Sequence, residues 1–192
     1  MVRPNYAMDE PPNELVIENG VYAINTDYRV WIQVSELILN YSENNASETF
    51  ESLYNLVFGK IIYCNPEAVL NAIIEFLKGY PFYKDKENNG ESNQNDEIFS
   101  FDYDLNYIIL AIRNQSGIDL SYECKHFHWW HFLLEFKSLE KRHYISELMK
   151  YRAYDGKDKE MLKIKNSVAL PVRHTAEEKA AAEELNNAFY NC

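Results

Sequence analysis

Phe99-Ser100-Phe101-Asp102-Tyr103-Asp104-Leu105-Asn106-Tyr107-Ile108, then Gly117-Ile118-Asp119-Leu120, then His128-Trp129-Trp130-His131-Phe132, is the stretch on which the fold turns. Asp102 opens a helix that carries Tyr103, Leu105, Tyr107, Ile108 and Ile112, and Gly117 ends it. Asp102 and Asp104 lie two residues apart and diverge on a helix, so they read as capping and dipole partners of its N-terminus. Lys125 to Leu139 reads as the next helix and Arg142 to Tyr151 as another. Adjacent helical side chains point about 100° apart, so Trp129 and Trp130 are both buried only if their helix is flanked on two sides. The expectation is that one of them shares the core with Trp31 while the other faces a groove or a subunit contact.

Working outward, Leu15-Val16-Ile17-Glu18-Asn19-Gly20-Val21-Tyr22-Ala23-Ile24 places Asn-Gly between β-favouring residues, the signal of a two-residue hairpin turn. Asp27 then caps a helix whose apolar face is Val30, Trp31, Val34, Leu37, Ile38 and Tyr41. A second helix starts near Ser47, carries Phe50, Leu53, Tyr54, Val57 and Phe58, and stops at Gly59. A third begins at Asn65-Pro66, a capping side chain followed by proline in the first turn, and ends at Gly79. Lys157 to Lys165 reads as an exposed helix or tail, broken by Pro171.

Three segments lie outside this pattern. Residues 1–13, with Pro4, Pro11 and Pro12, read as a flexible arm. Residues 84–97 lack an anchoring run of apolar side chains and read as a mobile insertion. Residues 172–192 read as a C-terminal helical extension, with Thr175 and Glu178 in capping-box spacing. The fold class is therefore mainly α: a compact multi-helix domain over residues 14–171 with a short N-terminal β-hairpin.

Composition narrows the function. Hydrophobic residues make up 46% of the 192, too many for a disordered chain. The 30 acids against 19 bases leave a net charge of −11, which repels phosphate backbones and excludes a nucleic-acid-binding role. That charge favours a basic protein partner, and the 15 tyrosines suit a protein-contacting surface. No apolar run reaches membrane-spanning length. Three widely spaced cysteines fit a reducing cytoplasm better than a disulfide framework.

The sharpest candidate for chemistry is Cys124, His128, His131 and Glu135, whose residue types suit zinc. Along one straight helix they would span more than about 15 Å, too far for one ion. At most His128 and His131 could act together, in a zinc-dependent enzyme. Packing and capping roles are the expected alternative, with no metal and no cofactor. A Cys124 nucleophile with His126 or His128 as base lacks a glycine-rich oxyanion turn nearby, and there is no phosphate loop or dinucleotide fingerprint, so no catalytic residue is assigned.

Taken together, Phe101-Asp102-Tyr103-Asp104, Gly117-Ile118-Asp119-Leu120, His128-Trp129-Trp130-His131-Phe132 and Tyr151-Arg152 resemble, in order, the motifs of the bacteriophage gene-product-fifteen family. These small proteins are encoded in the tail region of long-tailed phages. The resemblance runs from about Val16 to Leu170, and of the histidines only His128 matches a motif position. It implies a non-enzymatic tail-assembly protein of the host bacterial cytoplasm, a chaperone or accessory factor for the tape-measure protein. Trp129, Trp130, Tyr107 and Tyr103 are the expected protein-binding residues. A minor structural tail component that forms a homo-oligomer is the second reading.

Overall fold

A computed structural model describes residues 10–42, 45–79, 98–121 and 123–171. The insertion expected at 84–97, the extension at 172–192 and residues 1–9 of the arm lie outside them. Among the described residues the order is β1 (Glu14–Ile17), β2 (Gly20–Ala23), α1 (Tyr28–Leu39), α2 (Ala46–Phe58), α3 (Pro66–Lys78), α4 (Phe101–Ser116), α5 (Trp129–Lys137), α6 (Tyr144–Arg152) and α7 (Lys159–Ser167). The expected mainly α fold with an N-terminal hairpin is the one observed.

The helix ends follow local chemistry. The Asp27 side chain accepts the Arg29 N–H at the start of α1, and Asn65 accepts those of Glu67 and Ala68 ahead of Pro66 in α3. Asp158 does the same for α7. Gly59 and Gly117 end α2 and α4 in the left-handed conformation. Gly79 ends α3 at φ 71°, and a Cβ there would lie 2.6 Å from the Leu133 side chain, so both backbone and packing ask for glycine.

The hairpin corrects one expectation. Ile17 pairs with Gly20, so the turn is Glu18-Asn19 rather than Asn19-Gly20, and Glu18 takes φ 54°. Gly20 lies in the strand instead, where a Cβ would meet the Tyr22 ring at 2.6 Å and displace it. That ring reaches on to Cys64, its hydroxyl 3.0 Å from the sulfur. Leu15 and Ile17 point inward, while Val16 and Val21 face out as a cross-strand pair.

The layers follow from the apolar faces. β1 packs on α3, α1 on α2 and α5, α4 on α5 and α6, and α6 on α7. Trp31, Val34, Val57, Ile108, Ile112, Phe132 and Ile145 are wholly enclosed in one continuous cluster. Each such side chain contributes roughly 1.5–3 kcal/mol by leaving water. The end of the expected N-terminal arm is tied to this body, since Asn13 O accepts the Ile24 N–H and Pro12 O meets the His128 ring.

Candidate functional site

The His128-Trp129-Trp130 motif lies where two helices begin side by side. Asp27, which caps α1, and His128, which caps α5, form an antiparallel bridge. The Tyr28 N–H donates to Phe127 O at 2.9 Å, and the Trp129 N–H donates to Thr26 O at 2.8 Å. This pairing corrects the expected helix over Lys125 to Leu139. Residues 125–127 are not helical and His128 is extended, because Lys125 O, Phe127 O and the Phe127 N–H are engaged by Asp27, Tyr28 and Arg29, about a hundred residues earlier, and α5 starts only at Trp129.

Both caps are held electrically. Arg29 grips the Asp27 carboxylate through Nε at 2.7 Å and Nη2 at 2.8 Å. Burial alone would raise that carboxyl, but the Arg29 side chain and the Arg29 and Phe127 backbone N–H groups outweigh it and hold the group below the usual carboxylate range. His128 Nδ1 accepts the Trp130 N–H at 3.0 Å, and Nε2 lies 3.0 Å from Pro12 O. A carbonyl can only accept, so Nε2 carries the proton and Nδ1 the lone pair. Burial, reinforced by the neighbouring His131 and His126, pushes this imidazole below its ordinary pKa, against the pull of Pro12 O.

The tryptophan pair departs from the expectation that one ring faces outward. Trp129 and Trp130 are 2% and 8% exposed. Trp129 Nε1 donates to Leu77 O and Trp130 Nε1 to Phe76 O, each at 3.0 Å. The last carbonyls of a helix have no partner within it. The two indoles supply donors to the end of α3, so adjacent side chains that diverge by about 100° are both drawn inward. The Trp129 ring stacks on Phe132 and meets Phe101 edge-on.

The remaining motif residues divide between core and surface. Phe101 is buried and Asp102 is exposed. Asp104, expected to serve the helix start, accepts the Ser100 N–H and also pairs with Arg152 in the core. Tyr151 is half-buried, with the Lys150 ammonium 5.9 Å from its ring centre. Asp119 follows Gly117 at the surface, where the Ser121 N–H, 3.0 Å away, and the Ser121 hydroxyl lower its pKa. Of the proposed zinc ligands, His128 spends both nitrogens within the protein and Glu135 accepts from the Ser116 hydroxyl. Among the described residues no group of three or more His, Cys, Asp or Glu is placed to hold a metal ion.

What does face solvent is a stripe on α4. Tyr103, Tyr107 and Leu110 recur at i, i+4 and i+7 and are 57%, 43% and 53% exposed. Tyr144, at the start of α6, is 56% exposed and meets Tyr107 edge-on at 5.0 Å between ring centres. Tyr103 and Tyr107 were expected here; Leu110 and Tyr144 were not. The spacing from Tyr103 could have found Leu110, but Tyr144 joins only through the packing of α6 on α4.

Fold and motifs together define a class: a small, mainly α protein whose aromatic motif closes its core while Tyr103, Tyr107 and Tyr144 remain outside. The family model described as bacteriophage Gp15 protein matches residues 9–170, and the chain belongs to that family. No curated protein and no solved structure matches it. No helix among the described residues is long and apolar enough to cross a membrane.

Proposed function

We propose that this protein is a non-enzymatic phage tail-assembly factor, acting in the host cytoplasm, which binds the tape-measure protein before the tail tube forms around it. The observation that carries the reading is the exposed stripe of Tyr103, Tyr107 and Leu110 with Tyr144 beside it. Tyrosine offers a large apolar body with a polar tip, and exposed apolar side chains in a row mark a protein contact. A tape-measure protein is long and helical, and an amphipathic helix laid along this stripe would find its anchors at the same i, i+4, i+7 spacing. Membership of a bacteriophage family supports the biological setting.

Co-expression with the tape-measure protein encoded nearby, followed by affinity capture, tests this. A soluble complex should form and should weaken when Tyr103 and Tyr107 are both replaced by alanine. If the tape-measure protein stays insoluble and the present chain is found in purified virions, it is a minor structural component instead.

A further inference from the structure

Helix α4 turns about 100° per residue, so Tyr103, Tyr107 and Leu110 share one face, and Asp102, Asn106 and Arg113 fall along a single flank of it. All six side chains are exposed. The acid stands in the first turn of the helix and the base in the last. Two copies related by a twofold axis across their α4 helices run antiparallel, and each flank then faces the same flank of the other copy. Asp102 lies five residues before Tyr107 and Arg113 six after it; Tyr103 lies four before and Leu110 three after. A pair centred on Tyr107 therefore sets that ring against its own copy, Tyr103 against Leu110, and Asp102 against Arg113, each of the last two contacts twice. Arg113 already lies 3.9 Å from Asp119 at the surface. An exposed ion pair contributes little, so the guanidinium can reach a second carboxylate.

We propose that the free protein pairs with a second copy of itself through this face, α4 against α4 in antiparallel register. The contact covers the apolar stripe and matches opposite charges at both ends. The net charge of −11 on each copy opposes the pairing, and a single helix pair buries little area, so the dimer is weak and exchanges readily. One face cannot hold two occupants, so the tape-measure helix displaces the second copy; this consequence rests on the tail-assembly reading above.

Sedimentation equilibrium of the full chain tests the pairing, and the wild type should show a monomer–dimer equilibrium. Asp102→Lys and Arg113→Glu, each alone, bring like charges together twice and should raise the dissociation constant at least about tenfold. An equimolar mixture of the two variants should pair about as well as the wild type, because every contact then joins opposite charges again. The double variant should do the same. Mixing cannot rescue a chain that has merely failed to fold, so recovery reports the contact itself. A wild type that stays monomeric up to about 1 mM, single variants that dimerise as tightly as the wild type, or a mixture or double variant that fails to pair would overturn the proposal. Capture of the tape-measure protein by a wild type that is always monomeric would sink the pairing and spare the tail-assembly reading. A dimer that no tape-measure fragment binds or dissociates would do the reverse.

Discussion

Arg152, the last residue of α6, holds Asp104 of α4 by two bonds in the core: Nη1 to Oδ2 at 2.6 Å and Nη2 to Oδ1 at 3.2 Å. The same guanidinium donates to Val168 O at 2.7 Å and Ile98 O at 3.2 Å. It thereby fastens α4, α6 and the residue that follows α7 at one point. The planar, forked donor set of arginine is what such a junction requires, and lysine could not reproduce it.

Removing either charge alone should leave the other buried and uncompensated. Asp104→Leu or Arg152→Met should cost roughly 3–5 kcal/mol. The double variant Asp104→Leu with Arg152→Met should be less damaging than the sum, because neither charge is then stranded. Urea unfolding of the three variants checks this, and strictly additive losses would contradict it.

Trp129→Phe and Trp130→Phe keep most of the ring volume but remove the indole donor to Leu77 O or to Phe76 O, the latter still accepting the Gly79 N–H. Each should cost about 1–3 kcal/mol. The alanine variants should cost roughly 3–5 kcal/mol, as for buried aromatics elsewhere. Equilibrium unfolding measures both series. A loss below about 1 kcal/mol at Trp130→Ala would place that ring at the surface after all.

The pH dependence follows from His128. Burial depresses its pKa in the folded state, so as pH falls the unfolded chain takes up the proton first. Stability is full above the unfolded value of about 6.5 and declines as pH drops from there through the folded value. Protonation of Nδ1 would turn the acceptor for the Trp130 N–H into a donor. His128→Asn retains a capping oxygen and should flatten the decline in the urea midpoint between pH 7.5 and 5. An unchanged slope would assign the decline to other groups.

Gly79→Ala and Gly117→Ala place a side chain at almost the same positive φ, 71° and 74°, but ψ is −178° at Gly79, a region almost reserved for glycine, against 4° at Gly117, and only Gly79 also has Leu133 beside it. Gly117→Ala should cost about 1 kcal/mol for the backbone alone. Gly79→Ala should cost about twice that and disturb the end of α3 where both indoles are anchored. Thermal melts compare the pair directly.

How much of this was legible varies with the distance over which the cause acts. The caps at Asp27 and Asn65 and the stops at Gly59 and Gly117 depend on neighbours within one helical turn, and local pattern reveals them. The start of α5 does not: Phe127 continues the apolar pattern, and what keeps it out of the helix is the paired segment at Thr26-Asp27. The Asp104–Arg152 pair spans 48 residues, so the order of the motifs was visible but not their meeting. Asn19-Gly20 carries a strong turn signal, yet the strand pairing runs on to Gly20 opposite Ile17 and leaves Glu18 in the left-handed region. At the proposed binding surface, Tyr103 and Tyr107 were readable as candidates. The inward turn of both tryptophans was not, because it depends on the carbonyls of another helix.

The most direct measurement is the affinity of the full-length protein for soluble fragments of the tape-measure protein, by titration calorimetry, for the wild type and for Tyr103→Ala with Tyr107→Ala. Hot-spot tyrosines typically contribute about 2 kcal/mol each, so the double variant should bind roughly a thousandfold more weakly with little change in its unfolding midpoint. Equal affinity of the two proteins, or no binding by the wild type to any fragment, would contradict the account.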